Sequence, residues 1–155
     1  EKIAPFFITE AIDDRPLPLY GDGMQVRDWL YVDDHADAVE AVLERGAPGE
    51  VYNVGGEHEL HNIEVTRFIL EALDKPESLI RYVADRPGHD RRYALTNDKI
   101  RRELGWEPQH RFEDAMRHTI EWYRQNDWWW RKIKTGEYLE FYKSQYADRL
   151  ANAKP

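Results

Sequence analysis

A basic loop at residues 86–94 carries the residue types best suited to chemistry in this chain. Its sequence, Arg-Pro-Gly-His-Asp-Arg-Arg-Tyr-Ala, holds three arginines, one histidine and one aspartate around a Pro-Gly turn. Proline fixes φ and glycine permits positive φ, so the chain bends here at low strain. The planar guanidinium fork matches phosphate oxygens, and three such groups close together indicate a phosphorylated ligand. The alternative is that these side chains are solvated or pair with Asp85, Asp90 and Asp98.

Regular elements are expected on both sides of this loop. Residues 79–84 have the β-branched and aromatic composition of a strand, and a helix is expected to begin at Asp98 and to end near Gly105. Loops held between two such elements commonly carry ligand-binding groups. The sequence therefore predicts that the basic loop is fixed at both ends by regular secondary structure.

The elements before the basic loop alternate between helix and strand. A largely apolar run at residues 51–54 is typical of a strand in a parallel sheet. Such alternation predicts an α/β fold, mixed α+β over this stretch. Periodicity predicts helices over residues 5–12, 35–45 and 63–73, and extended segments over residues 17–20, 26–32 and 51–54.

The helix over residues 35–45 is expected to be capped by Asp33 and Asp34, because short acidic side chains accept hydrogen bonds from the first free N–H groups. Its apolar spacing predicts one buried stripe. The stripe consists of Ala36, Val39, Val42 and Leu43.

The end of the chain is aromatic. A helix is predicted over residues 112–124, and the segment after it holds Trp128, Trp129 and Trp130 and then four further aromatic residues. Aromatic side chains at this density favour a docked pair of helices over a disordered end.

Composition bounds the class of protein. The chain has 155 residues, 41% hydrophobic and 34% charged, which suits one soluble globular domain or a large part of one. A net charge of −8 argues against nucleic acid as the partner. The absence of cysteine excludes disulfides and thiolate zinc sites. No apolar run approaches the ~20 residues that span a bilayer and no signal peptide is visible, so a cytoplasmic location without a membrane partner is expected.

A catalytic set cannot be assembled from these residues. The sequence contains no Gly-x-Ser-x-Gly elbow and no Tyr-x-x-x-Lys pair. His58 and His61 are three residues apart in an expected loop, whereas zinc-binding helices place two histidines four apart. We therefore assign no catalytic and no metal-binding residue. Arg27 stands inside an extended segment, where it either pairs with Asp28 or Asp33 or binds a phosphate group.

Several segments together resemble one family of enzymes. Residues 16–23 (Pro-Leu-Pro-Leu-Tyr-Gly-Asp-Gly), 26–35 (Val-Arg-Asp-Trp-Leu-Tyr-Val-Asp-Asp-His) and 51–56 (Val-Tyr-Asn-Val-Gly-Gly) are similar to the second half of extended short-chain dehydrogenase/reductases that act on nucleotide sugars. The basic loop at 86–94 and the segment 136–142 (Gly-Glu-Tyr-Leu-Glu-Phe-Tyr) resemble the dTDP-glucose 4,6-dehydratase subgroup. The resemblance covers essentially the whole chain.

The resemblance implies a domain assignment. Residues 1–155 would form the carboxy-terminal substrate-binding lobe together with the last elements of an NAD-binding Rossmann fold, among them the strand at 51–54. The glycine-rich turn, the catalytic tyrosine and lysine and the dehydrating Asp-Glu pair would lie in an amino-terminal half that this chain lacks. The opening residues, which have no initiator Met, fit the same expectation. The isolated chain is then expected to be inactive and not to bind NAD.

The resemblance also implies an activity. The parent enzyme, a homodimeric NAD-dependent lyase, would convert dTDP-glucose into dTDP-4-keto-6-deoxyglucose and water. Two alternatives remain open: the substrate lobe of a related UDP-sugar epimerase or decarboxylase, and a module that binds nucleotide sugars without catalysis.

Site residues follow from the resemblance position by position. The nucleotide pocket would be lined by Lys2, Ile3, Ala4 and Pro5, and the base would be flanked by Pro18, Leu19 and Tyr20. The pyrophosphate would be held by Arg27 and Asn62. The residues that would close over it are Asp85, Arg86, Pro87, Gly88 and His89.

Overall fold

The computed structural model describes residues 2–153, except for the side chain of Glu137, so residues 1, 154 and 155 of the expected domain lie outside the described residues. Helices and strands alternate first and helices follow, which confirms the mixed α/β class. The helices are α1 (Ile3–Ile12), α2 (Val32–Arg45), α3 (Asn62–Ala72), α4 (Asp98–Leu104), α5 (Phe112–Gln125), α6 (Asp127–Ile133) and α7 (Glu137–Ala151). The strands are β1 (Leu17–Tyr20), β2 (Val26–Asp28), β3 (Glu59–His61) and β4 (Ile80–Val83).

The described chain divides into two compact units. The first comprises residues 2–25, 61–89 and 117–153, and the second comprises residues 26–60 and 90–116. The first unit contains the parallel pair β1 and β4, and the second contains β2, which pairs with β3.

In the first unit, β1 and β4 pair in parallel from Leu17 opposite Ile80 to Tyr20 opposite Val83. Helices α1 and α3 pack against each other, and α1 also packs on β1. The buried apolar residues of these elements form the core of this unit. They are Phe6, Phe7, Ile8, Ala11, Leu17, Leu19, Ile63, Val65, Ile69, Leu70, Ile80 and Val83.

The aromatic tail docks within the first unit as two helices, which confirms the prediction. Helix α7 packs against both β1 and β4. The ring of Tyr146 is buried and stacks on Phe6, with their centroids 5.4 Å apart. Trp130 is buried and donates its indole N–H to the carbonyl of Tyr123 at 2.8 Å. Trp128 and Trp129 are 60% and 44% exposed, so only one of the three tryptophans anchors the tail.

A buried ion pair joins α1 to the segment after α6. The side chain of Glu10 is fully buried, and Lys134 Nζ donates to its Oε1 and to Thr9 Oγ1. Burial lowers the pKa of Lys134 below its ordinary value, although the Glu10 carboxylate acts in the opposite direction. A second pair, Arg131 with Asp13 at 3.0 Å, lies on the same side of α1.

In the second unit, α2 packs on α4 through small side chains. Ala38 and Ala41 are buried against Ile100, Leu104 and Trp106. The stripe expected on this helix is therefore wrong, because Val39 and Leu43 are exposed and Val42 is only partly buried. Small residues allow the two helix backbones to approach closely.

Two extended segments differ from expectation. Residues 51–54 form no strand with any described part of the chain, and Val51 is 77% exposed. A strand requires a neighbour that takes up its backbone hydrogen bonds, and no described segment supplies one here. The segment expected over 26–32 is shorter, since β2 ends at Asp28 and α2 already begins at Val32.

Because α2 begins early, Asp33 and Asp34 lie in its first turn instead of capping it. The buried Asp34 accepts hydrogen bonds from the backbone N–H groups of Gln109 and His110, both at 3.1 Å, and from His110 Nδ1 at 2.8 Å. Burial alone would raise the pKa of Asp34, but these hydrogen bonds hold it below its ordinary value. Asp34 thus ties α2 to the loop before α5.

Replacing Asp34 by asparagine is expected to lower the free energy of unfolding by about 1.5–3 kcal/mol, because hydrogen bonds to a charged acceptor are lost. A folded-state pKa below the unfolded value near 3.8 gives stability that is present above that value and lost as pH falls through the folded pKa. Chemical denaturation across the acid range tests this. The exposed Asp37→Asn on the same helix is the control, and equal acid sensitivity of Asp34→Asn and the parent would contradict the prediction.

Candidate ligand-binding site

The carboxyl ends of β1 and β4 form one edge of the first unit. The strands are parallel, and the Gly21 N–H donates to the carbonyl of Val83 at 2.9 Å just beyond them. The start of α3 joins this edge, since Asn62 N–H donates to the Gln25 carbonyl at 3.0 Å. In open α/β sheets, ligands bind outside the carboxyl ends of the strands. We therefore take this edge as the candidate position of the site expected from the sequence.

Asp85 organises the loop that follows β4. Its Oδ1 accepts from the Arg86 N–H at 2.8 Å and lies 2.6 Å from His89 Nδ1, while its Oδ2 accepts from Gln25 Nε2 at 2.9 Å. Burial would raise the pKa of Asp85, but the hydrogen bonds from His89 and Arg86 hold it below its ordinary value. The carboxylate is therefore ionised and its histidine partner donates. A carboxylate repels phosphate, so Asp85 positions the loop.

Two buried amide oxygens at this edge lack a donor. Gln25 is 2% exposed, and because its Nε2 donates to Asp85, its Oε1 faces elsewhere. This oxygen and Asn62 Oδ1 have no hydrogen-bond partner among residues 2–153. Leaving a buried acceptor unmatched costs about 1–3 kcal/mol. Two such atoms on neighbouring segments are suited to a ligand that brings hydrogen-bond donors.

Tyr20 provides a partly exposed aromatic face at the end of β1. The ring of His89 meets it edge-on, with centroids 6.0 Å apart. On α7, the Arg149 guanidinium lies over the same ring, its central carbon 5.2 Å from the ring centroid. Neither Gln25 nor Arg149 was singled out from the sequence.

The other residues expected in the first unit differ in exposure. Lys2 is the exposed residue before α1, and residues 3–5 form its partly exposed first turn. Of the three residues expected to flank the base, Pro18 and Leu19 are buried within β1 and Tyr20 is partly exposed, so Tyr20 is the one that a ligand can contact.

The turn after Asp85 has the conformation that the Pro-Gly pair predicts. Gly88 has φ +68°, and the His89 N–H donates to the Arg86 carbonyl at 3.3 Å. Pro87 and Gly88 are exposed. Within the described chain the exposed Arg86 guanidinium has no hydrogen-bond or ion-pair partner, so it is available to an anion.

Arg27 belongs to the second unit, and its described contacts stay there. Its guanidinium donates to the carbonyls of Val26 at 2.6 Å and Asp90 at 3.0 Å and lies 4.4 Å from the Tyr93 ring centroid. The alternative in which it pairs with Asp28 or Asp33 is not found among the described residues. The Asp28 carboxylate instead accepts the N–H groups of Gly56 and His58, both at 3.0 Å. Arginine has five N–H donors, so three remain for a ligand.

The remaining charged groups of the basic loop are partly neutralised. Arg92 makes a bidentate pair with Glu59 at 2.7 and 2.9 Å, which replaces the pairing with aspartates considered from the sequence. His61 Nδ1 pairs with Glu64 at 2.9 Å at the start of α3.

Across residues 2–153, no group of three or more histidine or acidic side chains could hold a metal ion. None of the described helices is both long enough and apolar enough to cross a bilayer.

Comparison with known proteins shows that this chain is similar to a group of enzymes. A family model described as GDP-mannose 4,6 dehydratase matches residues 1–119. A curated dTDP-glucose 4,6-dehydratase of Shigella flexneri is 49% identical over 156 residues, covering 96% of this chain and 43% of the relative. The chain thus spans less than half the length of the curated relatives it matches.

Solved structures of related enzymes are also similar to this chain. The crystal structure of a dTDP-glucose 4,6-dehydratase from Bacillus anthracis in complex with NAD is similar at 47% identity and a TM-score of 0.82, covering 86% of this chain and 42% of that one. A UDP-glucose 4-epimerase from Thermotoga maritima with UDP-glucose is similar at 27% identity and a TM-score of 0.76, covering 80% of this chain and 40% of that one. These comparisons confirm the resemblance found in the sequence.

Proposed function

The chain belongs to the GDP-mannose 4,6 dehydratase family, and on that premise we propose that it forms the carboxy-terminal, nucleotide-sugar-binding part of an NAD-dependent dTDP-glucose 4,6-dehydratase. The proposal covers the whole domain expected over residues 1–155. It is supported by relatives of that name at 49% identity and by the polar groups gathered at the candidate edge of the first unit. The same resemblance extends it to a homodimeric, cytoplasmic enzyme of the lyase class.

The observation that carries the proposal is the pair of unmatched amide oxygens of Gln25 and Asn62. Gln25 is bonded to Asp85 in the loop whose Arg86 side chain is exposed, and the backbone N–H of Asn62 is bonded to Gln25. A nucleotide sugar offers both complements, since its hydroxyl and base N–H groups donate while its diphosphate accepts from guanidinium. A purely anionic ligand would leave the two oxygens without donors.

Each part of the ligand has a group suited to it. The face of Tyr20 would stack on the base, and Asn62 Nδ2 would bind the pyrophosphate. For Arg27, in the second unit, a pyrophosphate contact is what the resemblance implies. Asp85 would keep His89 and Arg86 oriented toward it. Held this way, the hexose is presented for reaction in one geometry, which removes much of the entropic barrier.

NAD supplies reversible hydride transfer when it is bound. The sequence of this chain contains no complete glycine-rich dinucleotide turn, so we assign no NAD contact to its residues. We propose that NAD binds an amino-terminal part of the enzyme and that these 155 residues alone show no turnover.

A related UDP-sugar epimerase is the second candidate, because the epimerase from Thermotoga maritima is similar at a TM-score of 0.76. The full-length enzyme that carries this sequence should be incubated with NAD and, separately, with dTDP-glucose, UDP-glucose and GDP-mannose. We expect a 4-keto-6-deoxy sugar from dTDP-glucose. Epimerised UDP-glucose without water loss would favour the second candidate. Tight binding of a nucleotide sugar with no product would favour a non-catalytic module.

Arg27→Ala in that enzyme is expected to raise the KM for dTDP-glucose and to weaken inhibition by dTDP about ten- to a hundredfold, because a charge-assisted hydrogen bond contributes about 1.5–3 kcal/mol. NAD binding should change little. The control is Arg102→Ala, which removes an exposed arginine paired with Glu103 in the same unit. An unchanged inhibition constant for dTDP would show that Arg27 serves only its contacts with Val26, Asp90 and Tyr93.

A further inference from the structure

Arg149 is brought to the candidate site by the tail helix. Its guanidinium carbon lies 5.2 Å from the Tyr20 ring centroid, and its Nη1 donates to the Ala84 carbonyl at 3.4 Å. Ala84 immediately precedes the Asp85–His89 loop, so this guanidinium lies beside the loop that carries Arg86. Two elements of the site therefore contact one side chain of α7.

The position of Arg149 is set by helix packing. Tyr146, one turn earlier on α7, is 2% exposed and stacks on Phe6. Residues three apart on a helix share a face, so burying Tyr146 directs Arg149 toward the same side of the unit. Helix α7 also packs on β1 and β4, the two strands whose ends form the site.

The charge of Arg149 is only partly matched. Its hydrogen bond to Ala84 is long, and four of the five guanidinium N–H donors have no acceptor among the described residues. The nearest carboxylate on this loop, that of Asp85, is already engaged by Gln25, Arg86 and His89. A half-buried cation with free donors beside an engaged carboxylate is suited to an incoming anion.

We propose that Arg149 binds the phosphate groups of a nucleoside diphosphate at this site, so that α7 forms one wall of it. This inference rests on the proposed function and adds a residue that neither the resemblance nor the sequence pattern supplied. Arg86 and Arg149 approach the site from different elements, and a diphosphate carries enough charge for both. Tyr20 supports the guanidinium from one face and leaves its edge donors for oxygen atoms.

The test compares ligands with and without phosphate on the full-length enzyme. Isothermal titration with dTDP should show roughly ten- to a hundredfold weaker binding by Arg149→Met than by the parent, while thymidine binding stays within about twofold. Arg149→Lys, which keeps the charge but not the fork, should lie between them. The control is Lys143→Met, which removes an exposed cation from the same helix and should bind dTDP like the parent.

The outcomes separate the two proposals. If the parent enzyme does not bind dTDP, the proposed function falls and this inference falls with it. If the parent binds dTDP and Arg149→Met binds it equally well, this inference alone is overturned. Equal losses for dTDP and thymidine would also overturn it, because Arg149 would then only support Tyr20. Should Arg149→Met lose its cooperative melt, Arg149→Gln, which keeps a donor for the Ala84 carbonyl, is measured in its place.

Discussion

Replacing Gly56 by alanine is expected to prevent the second unit from folding. A Cβ atom at this position would lie 1.8 Å from the Trp29 carbonyl oxygen, 2.4 Å from its carbonyl carbon and 2.9 Å from Leu30 Cα. These are backbone atoms, which cannot rotate away as a side chain can. Relieving the overlap would also pull the Gly56 N–H from Asp28. The cost is comparable with the whole stability of a domain, about 5–15 kcal/mol.

Soluble yield and thermal unfolding followed by circular dichroism measure this effect. Gly49→Ala is the matched control, because Gly49 has φ +85° and open space where its Cβ would stand. That substitution should cost only the strain of a left-handed residue, about 1–2 kcal/mol. A Gly56→Ala protein that melts cooperatively at the temperature of the control would contradict this prediction. The backbone at Gly56 could then move away from Trp29 and Leu30 without loss of stability.

Replacing Lys134 by methionine is expected to destabilise the first unit by about 3–5 kcal/mol, the usual cost of leaving a buried charge without its partner. The Glu10 side chain is fully buried, and among residues 2–153 it would retain Arg15, at 3.9 Å, as its one cationic partner. Its second oxygen already has no hydrogen-bond partner in the described structure. Methionine keeps the length of the apolar stem, so the loss measures the missing ammonium group.

Urea denaturation of the single and double variants separates the ion pair from packing. Glu10→Gln combined with Lys134→Met should cost less than the sum of the single changes, because no buried charge remains. Lys99→Met, which removes a partly exposed partner of the exposed Glu50, should have little effect. If Lys134→Met were no less stable than Lys99→Met, the buried pair would not contribute to folding.

The helices were predictable from sequence because their signals are local. Ile63 and Leu70 are seven residues apart on α3, which is two helical turns, and both are buried. Gly105 follows α4 with φ +67°, the left-handed conformation in which helices commonly end. Such signals depend only on residues within a few positions of one another.

The errors arose where a distant partner decides the outcome. Residues 51–54 have strand composition, but β-propensity describes fitness for a sheet surface and cannot supply the neighbouring strand. On α2, hydrophobicity favoured Val39 and Leu43 over Ala38 and Ala41. The surface of Ile100, Leu104 and Trp106 instead accepts the small residues, and its position follows from the fold.

The residues of the candidate site likewise fall into those with a local sequence signal and those without one. Proline, glycine and clustered charge marked the basic loop, and the structure places Asp85, Arg86 and His89 together there. Gln25 gave no signal, because an uncharged side chain becomes notable only when it is buried with an unmatched oxygen. Arg149 gave none either, since it contacts Ala84 across 65 residues of sequence.

The division of the chain into interleaved segments has a consequence for how this protein can be cut and recombined. The backbone passes from one unit to the other at positions 25/26, 60/61, 89/90 and 116/117. A single proteolytic nick therefore cannot release either unit as one peptide, and a simple terminal truncation removes parts of only one. Exchanging the first unit, which carries Tyr20, Asn62, Asp85 and Arg149, for that of a relative requires three separate inserts joined at those four boundaries. Under the proposed function, the residues that would set nucleotide preference lie on three separate segments, so we expect that preference to change by single substitutions more readily than by exchange of whole blocks.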